Sequence, residues 1–390
     1  MKSFLPVMLS SCAIALASCT PEKPADVPLP PQPTATVESP PTSSTQVAIA
    51  APDAGAPAPA TPESQLPPPK PTTIGLARTG DEKLDPILAQ GDKAFEDGDY
   101  AKALTAYEAA KKQAPKKAAP IVGVARTRVA KASPSLGFAA AEKNVEVLSA
   151  SKELKRAADM DANFGPAHVE LGRALLLLGD APNAEASLRK GARLLPDDAE
   201  AHSALGISLL ASGKTEEALT ELSKARDLDP GSAPRRGNLG TVLFMRGKVA
   251  DAIKEYEIEV RITPDDARAH SDLGTALLAQ SDFTRAVPEL KKAIQIDPKR
   301  ATFRSNLGYA LQLSGKVSEA ITEYREALKL DPKLASAWIN LATALARDPK
   351  TRGEARQALK TAANLDPSDP RVKANLEELD ALERGTPQKP

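Results

Sequence analysis

One spacing governs this sequence. Gly172, Gly206, Gly240, Gly274 and Gly308 lie 34 residues apart, as do Ala184, Ala218, Ala252, Ala286 and Ala320, and Pro196, Pro230, Pro264, Pro298 and Pro332. A fixed period of this length confines the chain to a stack of similar units, each packing mainly on its neighbours. Within a period, apolar residues fall at helical spacing in two runs, such as Leu205, Leu209 and Leu210, then Leu219, Leu222 and Ala225. A turn such as Ser212-Gly213-Lys214 separates them, so each period predicts two short antiparallel helices. Gly206 and Ala218 are small because the two helices of a hairpin approach most closely there. Asp229-Pro230 closes the second helix, since Pro cannot continue it and biases the residue before it away from helix.

These residues resemble the tetratricopeptide repeat, a helix-turn-helix unit of 34 residues. In the first repeat, beginning near Leu84, Gly91, Ala103, Tyr107, Ala110 and Pro115 fit the pattern. Repeats beginning at Gly165, Ala199, Ala233, Ala267 and Ala301 follow at strict spacing, and one beginning at Ala335 carries the family's Trp as Trp338. That last repeat is one residue longer, with Ala355, Leu359, Ala362 and Pro367 in its later slots. Gly191 and Glu259 stand where the second Ala is expected, and Pro288 is expected in the first turn of a second helix, where Pro is tolerated. A further repeat beginning at Ala118 is expanded: Ile121, Ala125 and Arg128 belong to its first helix, Ala150, Leu154 and Ala157 to its second, with extra residues around Ser133 to Ala141 between them. The resemblance implies an all-α, right-handed superhelical solenoid of about eight repeats over 84–369. Val372, Leu376, Leu379 and Leu382 on one face of a last helix, within 370–385, would cap it. Residues 386–390 are expected to form a disordered tail.

The amino terminus reads as an address. Met1-Lys2 supplies a positive start, and the apolar run from Phe4 to Ala17 falls short of the roughly 20 residues a membrane-spanning helix needs. It ends in Leu16-Ala17-Ser18-Cys19, which resembles the lipobox of bacterial lipoproteins. Leu9-Ser10-Ser11-Cys12 also fits that pattern, but only a short apolar core precedes it, so Cys19 is preferred. The resemblance implies a signal peptide over 1–18, removal of that peptide, and acyl chains on Cys19, including palmitate. Several chains together anchor durably where one does not. Thr20 rather than Asp after the Cys favours the outer membrane in such proteins, facing the periplasm. From Thr20 to Thr73 there are 16 Pro in 54 residues, among Ala, Thr and Ser. Such a segment cannot bury enough apolar surface to offset its ordering entropy, so 19–80 is expected to be a disordered tether. Its reach lies between about 40 Å as a flexible coil and about 170 Å as polyproline II.

The remaining composition excludes more than it assigns. Lys+Arg 51 balance Asp+Glu 51, so no overall basic field favours nucleic acid. Both Cys fall in the first twenty residues, which removes thiol chemistry and Cys-based zinc sites from the repeats. His168, His202 and His270 share the fourth position of their repeats. Neighbouring repeats are displaced by about 8–10 Å, too far for three imidazoles to meet on one ion, so they read as packing residues. No phosphate loop, metal-binding helix motif or paired nucleophile is present, so no catalytic residue, cofactor or metal is assigned.

What remains is a binding surface. By resemblance, the concave groove is lined by the second, fifth, sixth, ninth, twelfth and thirteenth positions of each repeat. Asn238, Asp272, Asn306 and Asn340 hold the sixth position, with Phe244, Met245, Ser271, Thr275, Ser305, Tyr309 and Thr343 beside them. Asn can donate to and accept from any peptide backbone, and the aromatic and Met side chains offer apolar pockets. An extended peptide or partner protein is the expected ligand. A second candidate is basic: Lys111, Lys112, Lys116, Lys117, Arg126, Arg128, Lys131, Lys143, Lys152, Lys155 and Arg156 face only Glu142, Glu146 and Glu153 in that stretch. An acidic polymer or head group could dock there, although a solvated face is the commoner reading of such a run. The whole reads as a non-catalytic scaffold of the bacterial envelope, of the kind that assembles a pilus or secretion pore. An exopolysaccharide-export accessory and an adaptor docking cell-wall enzymes are the alternatives.

Overall fold

The computed structural model describes residues 74–132 and 144–385. Cys19, the apolar leader and Lys143 lie outside the described residues, as do the Pro-rich stretch from Thr20 to Thr73 and the tail from 386. The described residues contain seventeen α-helices and no strand. In order they are α1 (Asp85–Glu96), α2 (Tyr100–Gln113), α3 (Ala118–Ala132), α4 (Val145–Met160), α5 (Gly165–Leu177), α6 (Ala181–Leu194), α7 (Ala199–Ala211), α8 (Thr215–Leu228) and α9 (Ala233–Met245). They continue with α10 (Val249–Ile262), α11 (Ala267–Ala279), α12 (Phe283–Ile296), α13 (Ala301–Leu313), α14 (Val317–Leu330), α15 (Ala335–Leu345), α16 (Arg352–Leu365) and α17 (Pro370–Glu383). Each odd-numbered helix from α1 to α15 packs on the next as a hairpin, each hairpin packs on its neighbour, and α17 closes the stack against α15 and α16.

The hairpins close on a size match. A Cβ added at Gly172, Gly206 or Gly240 would lie 2.4, 2.5 or 2.6 Å from a side-chain carbon of Leu188, Leu222 or Tyr256, the residue sixteen places on. No real Cβ contact is that short, so the first helix must present a bare backbone where the second inserts a large side chain. Ala184, Ala218, Ala252, Ala286 and Ala320 are fully buried at the same junctions. Gly191 is explained similarly: it replaces an Ala because Val169 fills its space, with Cγ2 2.5 Å from where a Cβ would stand. Asp or Asn side chains accept backbone N–H groups at the starts of α2, α4, α6, α7, α11, α12 and α17, satisfying donors that a helix leaves orphaned.

Two local expectations change. Pro288 lies inside α12 rather than in its first turn. It is exposed, so the Thr284 carbonyl deprived of an N–H partner stands on a solvent-facing side of the helix and the helix continues. The tether expected over 19–80 gives way to folded chain sooner, because Ile74 and Leu76 are completely buried. Their burial comes from contacts far along the chain, which a local reading of composition does not capture.

The turns of the α5–α6, α7–α8, α9–α10 and α13–α14 hairpins use a left-handed residue, Gly179, Gly213, Gly247 and Gly315 with φ of 75°, 73°, 72° and 83°. At the equivalent place between Gly247 and Gly315 stands Ser281, with φ 61°. A side chain in this region costs about 1–2 kcal/mol, part of which glycine returns through its freer unfolded state. Ser281→Gly is therefore expected to stabilise the fold by up to about 1 kcal/mol, measured as an upward shift of the denaturant midpoint at constant slope.

Candidate functional site

The first helices of neighbouring repeats touch one another, as α5 touches α7, α7 touches α9 and α13 touches α15. The side on which successive units approach most closely is the inside of the curve, so the odd-numbered helices line the concave face. Their orientation is fixed by one repeated contact. The ring nitrogen Nε2 of His168, His202 and His270 lies 3.1, 3.0 and 3.0 Å from the carbonyl six residues earlier, at Ala162, Pro196 and Pro264. Trp338 Nε1 donates to the Pro332 carbonyl at 2.9 Å and Arg236 Nε to Pro230 at 2.9 Å in the same way. On the other side, His202 and His270 meet Glu221 and Glu289 at 2.6 Å. The histidines thus tie each first helix to the preceding loop. Among the described residues no three His, Cys, Asp or Glu side chains come together as a metal site.

The expected groove residues do not form a uniform row. Asn238 is buried and its amide nitrogen has no hydrogen-bond partner. Asn306 turns its amide nitrogen to Ser271 Oγ at 3.3 Å and Thr275 Oγ1 at 3.5 Å, bridging two repeats. Asp272 is paired with Arg268 at 3.1 Å. Thr343 accepts from Asn375 Nδ2 at 3.0 Å, so the terminal helix α17 covers part of that end. Asn340 and Phe244 are half-buried, while Met245 and Tyr309 are exposed.

The sequence marked Glu259 as a departure without giving it a role. Its carboxyl projects from α10 onto Gly237 of α9, and a Cβ at Gly237 would lie within contact of both carboxyl oxygens. The match seen at Gly191 and Val169 is reversed here: the first helix is bare at Gly237 and the second-helix acid fills its space. Glu259 is 5% exposed and its Oε2 has no partner. Burial, helped by the charge of Asp272, pushes its acid up to about 8. Because the folded value is above the unfolded one, the protonated form supports folding below the ordinary carboxylate range, and that support is lost as pH rises through about 8. Glu259→Gln, neutral throughout, is expected to melt close to the wild type at pH 5 and several degrees above it at pH 9. Equal gaps at both pH values, read by thermal denaturation, would contradict a buried neutral acid.

The other end of the inner face carries charge that is already spent. Arg126, expected in the basic stretch, is 2% exposed and sits inside α3 with its guanidinium on Asp92 at 2.5 Å. Its guanidinium also hydrogen-bonds the Tyr107 hydroxyl, lies 3.8 Å from Glu170 and stacks over the Phe95 ring at 4.5 Å. It faces inward because it holds the ninth position of its helix; a count of charges along the chain carries no such phase. The line continues through Arg173, Glu200, Arg235 and Asp229. Removing one partner from a buried pair of this kind typically costs about 3–5 kcal/mol. Arg128 and Lys111 converge on Glu153 at 2.7 and 3.7 Å, and Lys155 meets Asp159 at 3.3 Å. Lys112, Lys116, Lys117, Lys131, Lys152 and Arg156 remain exposed. The basic surface is therefore smaller than its composition implies.

The residues before α1 also lie on this face. Asp92 Oδ2 accepts from the backbone N–H of Leu76 at 2.6 Å and of Ala77 at 3.2 Å. Arg126 donates to the Ile74 carbonyl at 2.6 Å. Arg78 reaches Asp198, which caps α7, at 3.1 Å.

Comparison with known proteins places this geometry. Residues 169–233, 203–267 and 238–301 each match the family model described as tetratricopeptide repeat, and 313–348 matches one described as TPR repeat. No curated protein matches the sequence significantly. Among solved structures, the APC/C hetero-tetramer Cut9-Hcn1 aligns at 17% identity over 78% of this chain and 57% of that one, with a TM-score of 0.58. YrrB, a TPR protein with an unusual peptide-binding site, aligns at 22% identity over 49% of this chain and 97% of its own, with a TM-score of 0.38. Pseudomonas aeruginosa PilF aligns at 20% identity over 56% and 98%, with a TM-score of 0.47. At these identities the likeness is one of fold.

Proposed function

We infer that this chain, a solenoid whose residues 169–301 and 313–348 are tetratricopeptide repeats, is a non-catalytic interaction scaffold of a bacterial cell envelope. It holds an extended peptide or a segment of a partner protein along the inner face of its later repeats. The observation that carries this reading is a pair of buried, unpartnered polar atoms on neighbouring elements, Asn238 Nδ2 and Glu259 Oε2. A buried donor or acceptor without a partner costs about 1–3 kcal/mol. A peptide backbone supplies both an acceptor and a donor, whatever its side chains, and relieves both costs on binding. Exposed Met245 and Tyr309 flank the same face and offer apolar contact.

The lipobox resemblance adds the address. Cys19 carries the acyl chains, the Pro-rich stretch holds the solenoid away from the outer membrane on its periplasmic side, and the partner belongs to an envelope machine such as a pilus or secretion pore. The exposed lysines around 112–117 and 152–156 favour, as a second reading, contact with an acidic cell-wall or exported polymer.

Two experiments test these parts separately. Cys19→Ser is expected to move the protein from the membrane fraction to the soluble fraction, and unchanged fractionation would remove the lipid anchor. In-cell crosslinking of the wild type is expected to capture a partner that a folded Asn238→Ala, Asn306→Ala, Asn340→Ala variant loses at least tenfold. Equal capture by both would move the docking surface off the inner face.

A further inference from the structure

The run from Ile74 to Arg78 has no regular secondary structure, yet its aliphatic side chains are as buried as any in the molecule. Ile74 joins the apolar cluster that contains Val169, Leu188 and Ala201, whereas Leu76 joins the cluster of Leu88, Val122 and Ala125. Its main chain is gripped by side chains: Asp92 takes two consecutive N–H groups and Arg126 gives to a carbonyl. Asp92 and Arg126 both occupy the ninth position of their repeats, one of the positions that line the concave face. The two residues brace each other directly, and Tyr107 donates to Asp92 Oδ1 at 2.8 Å. A pair of side chains that holds peptide N–H and C=O groups, with two apolar sites at alternate residues, has the makeup of a peptide-binding site.

We propose that the inner face of the first repeats is a second peptide-binding site, filled in cis by residues 74–78, whose ligand is an unstructured segment of pattern aliphatic-x-aliphatic-x-basic. Ile74 and Leu76 set the two aliphatic positions and Arg78 the basic one. The aliphatic positions dominate, because both are fully buried while the Arg78–Asp198 pair is partly exposed and screened. The residue between the two aliphatic positions accepts a side-chain carbon, since a Cβ at Gly75 would meet Asp92 Oδ2 at an ordinary 3.6 Å. Only Thr79 to Leu84 joins the segment to α1, with Thr79 and Gly80 held by the Asp85 carboxylate. So short a connection keeps the local concentration of the segment in the millimolar range. An external peptide of the same pattern therefore enters when the resident segment is displaced or altered. This site is separate from the row at Asn238 and Glu259, and it does not depend on the lipid anchor.

The test uses the full chain and a fluorescein-labelled peptide with the sequence of residues 72–80. Fluorescence anisotropy is expected to show saturable binding to an Ile74→Asp, Leu76→Asp variant that retains its helical circular dichroism, and binding at least tenfold weaker to the wild type. A peptide carrying the same two Asp substitutions is expected to bind neither. A second measurement needs no variant: millimolar unlabelled peptide should accelerate amide hydrogen exchange at Leu76 and Ala77 of the wild type. A folded variant that fails to bind the peptide, equal binding to wild type and variant, or exchange unchanged by excess peptide would each overturn the proposal. Residues 74–78 would then be a fixed part of the core.

Discussion

The architecture rests on one contact repeated in six of the hairpins: a glycine on the first helix, such as Gly172 or Gly308, faced by a large side chain sixteen residues later. At Gly240 the missing Cβ leaves room for the Tyr256 ring, and at Gly206 for Leu222. Dispersion at such a junction is large only when both surfaces fit, so the pair sets the distance between helices and hence the curvature of the stack. Once that distance is fixed, inter-repeat geometry follows, and surface pairs such as Arg189–Glu217 and Arg325–Glu354 recur across neighbouring repeats. Those pairs are individually weak in water. They decorate a spacing that the buried junctions have already chosen.

That contact was legible because it is periodic. The glycine, alanine and proline series predict the hairpins and their turns, and the apolar face of Val372, Leu376, Leu379 and Leu382 predicts the closing helix α17, without any knowledge of tertiary structure. Features that break the period were legible only as exceptions. Glu259 could be seen as an unusual residue, but its meaning lies in what stands opposite: its reach fills the space left bare at Gly237. Arg126 was counted among surface charges because a charge count has no phase, whereas its position on α3 turns it toward Asp92 and Tyr107. The burial of Ile74 and Leu76 had no local signal, since the groups that hold them come from helices further along the chain, α1 and α3 among them.

The inner face is consequently divided by chemistry. From α1 to α9 it is a chain of acid–base pairs, running from Asp92 through Arg126 and Glu200 to Arg235, in which buried charge is already compensated. From α9 onward it is richer in amides and hydroxyls, with Asn306, Ser271 and Thr275 sharing hydrogen bonds beside the Arg268–Asp272 pair and Asn238 sharing none. A stack of near-identical units thus offers two different surfaces, because the repeat constrains buried positions and leaves the lining free.

The strap from Ile74 to Arg78 has a mechanical consequence. In a stack whose contacts are otherwise between neighbours, a pull on the end helix would peel one hairpin at a time. A pull applied at residue 73 instead meets the strap first and passes through Arg126 into α3, then through Asp92 into α1. The load enters the third helix before it reaches the first, and the hydrogen bonds and two buried side chains that carry it must yield before the hairpin of α1 and α2 can unzip. The solenoid is therefore fastened to whatever precedes it by a clasp rather than by its frayed end.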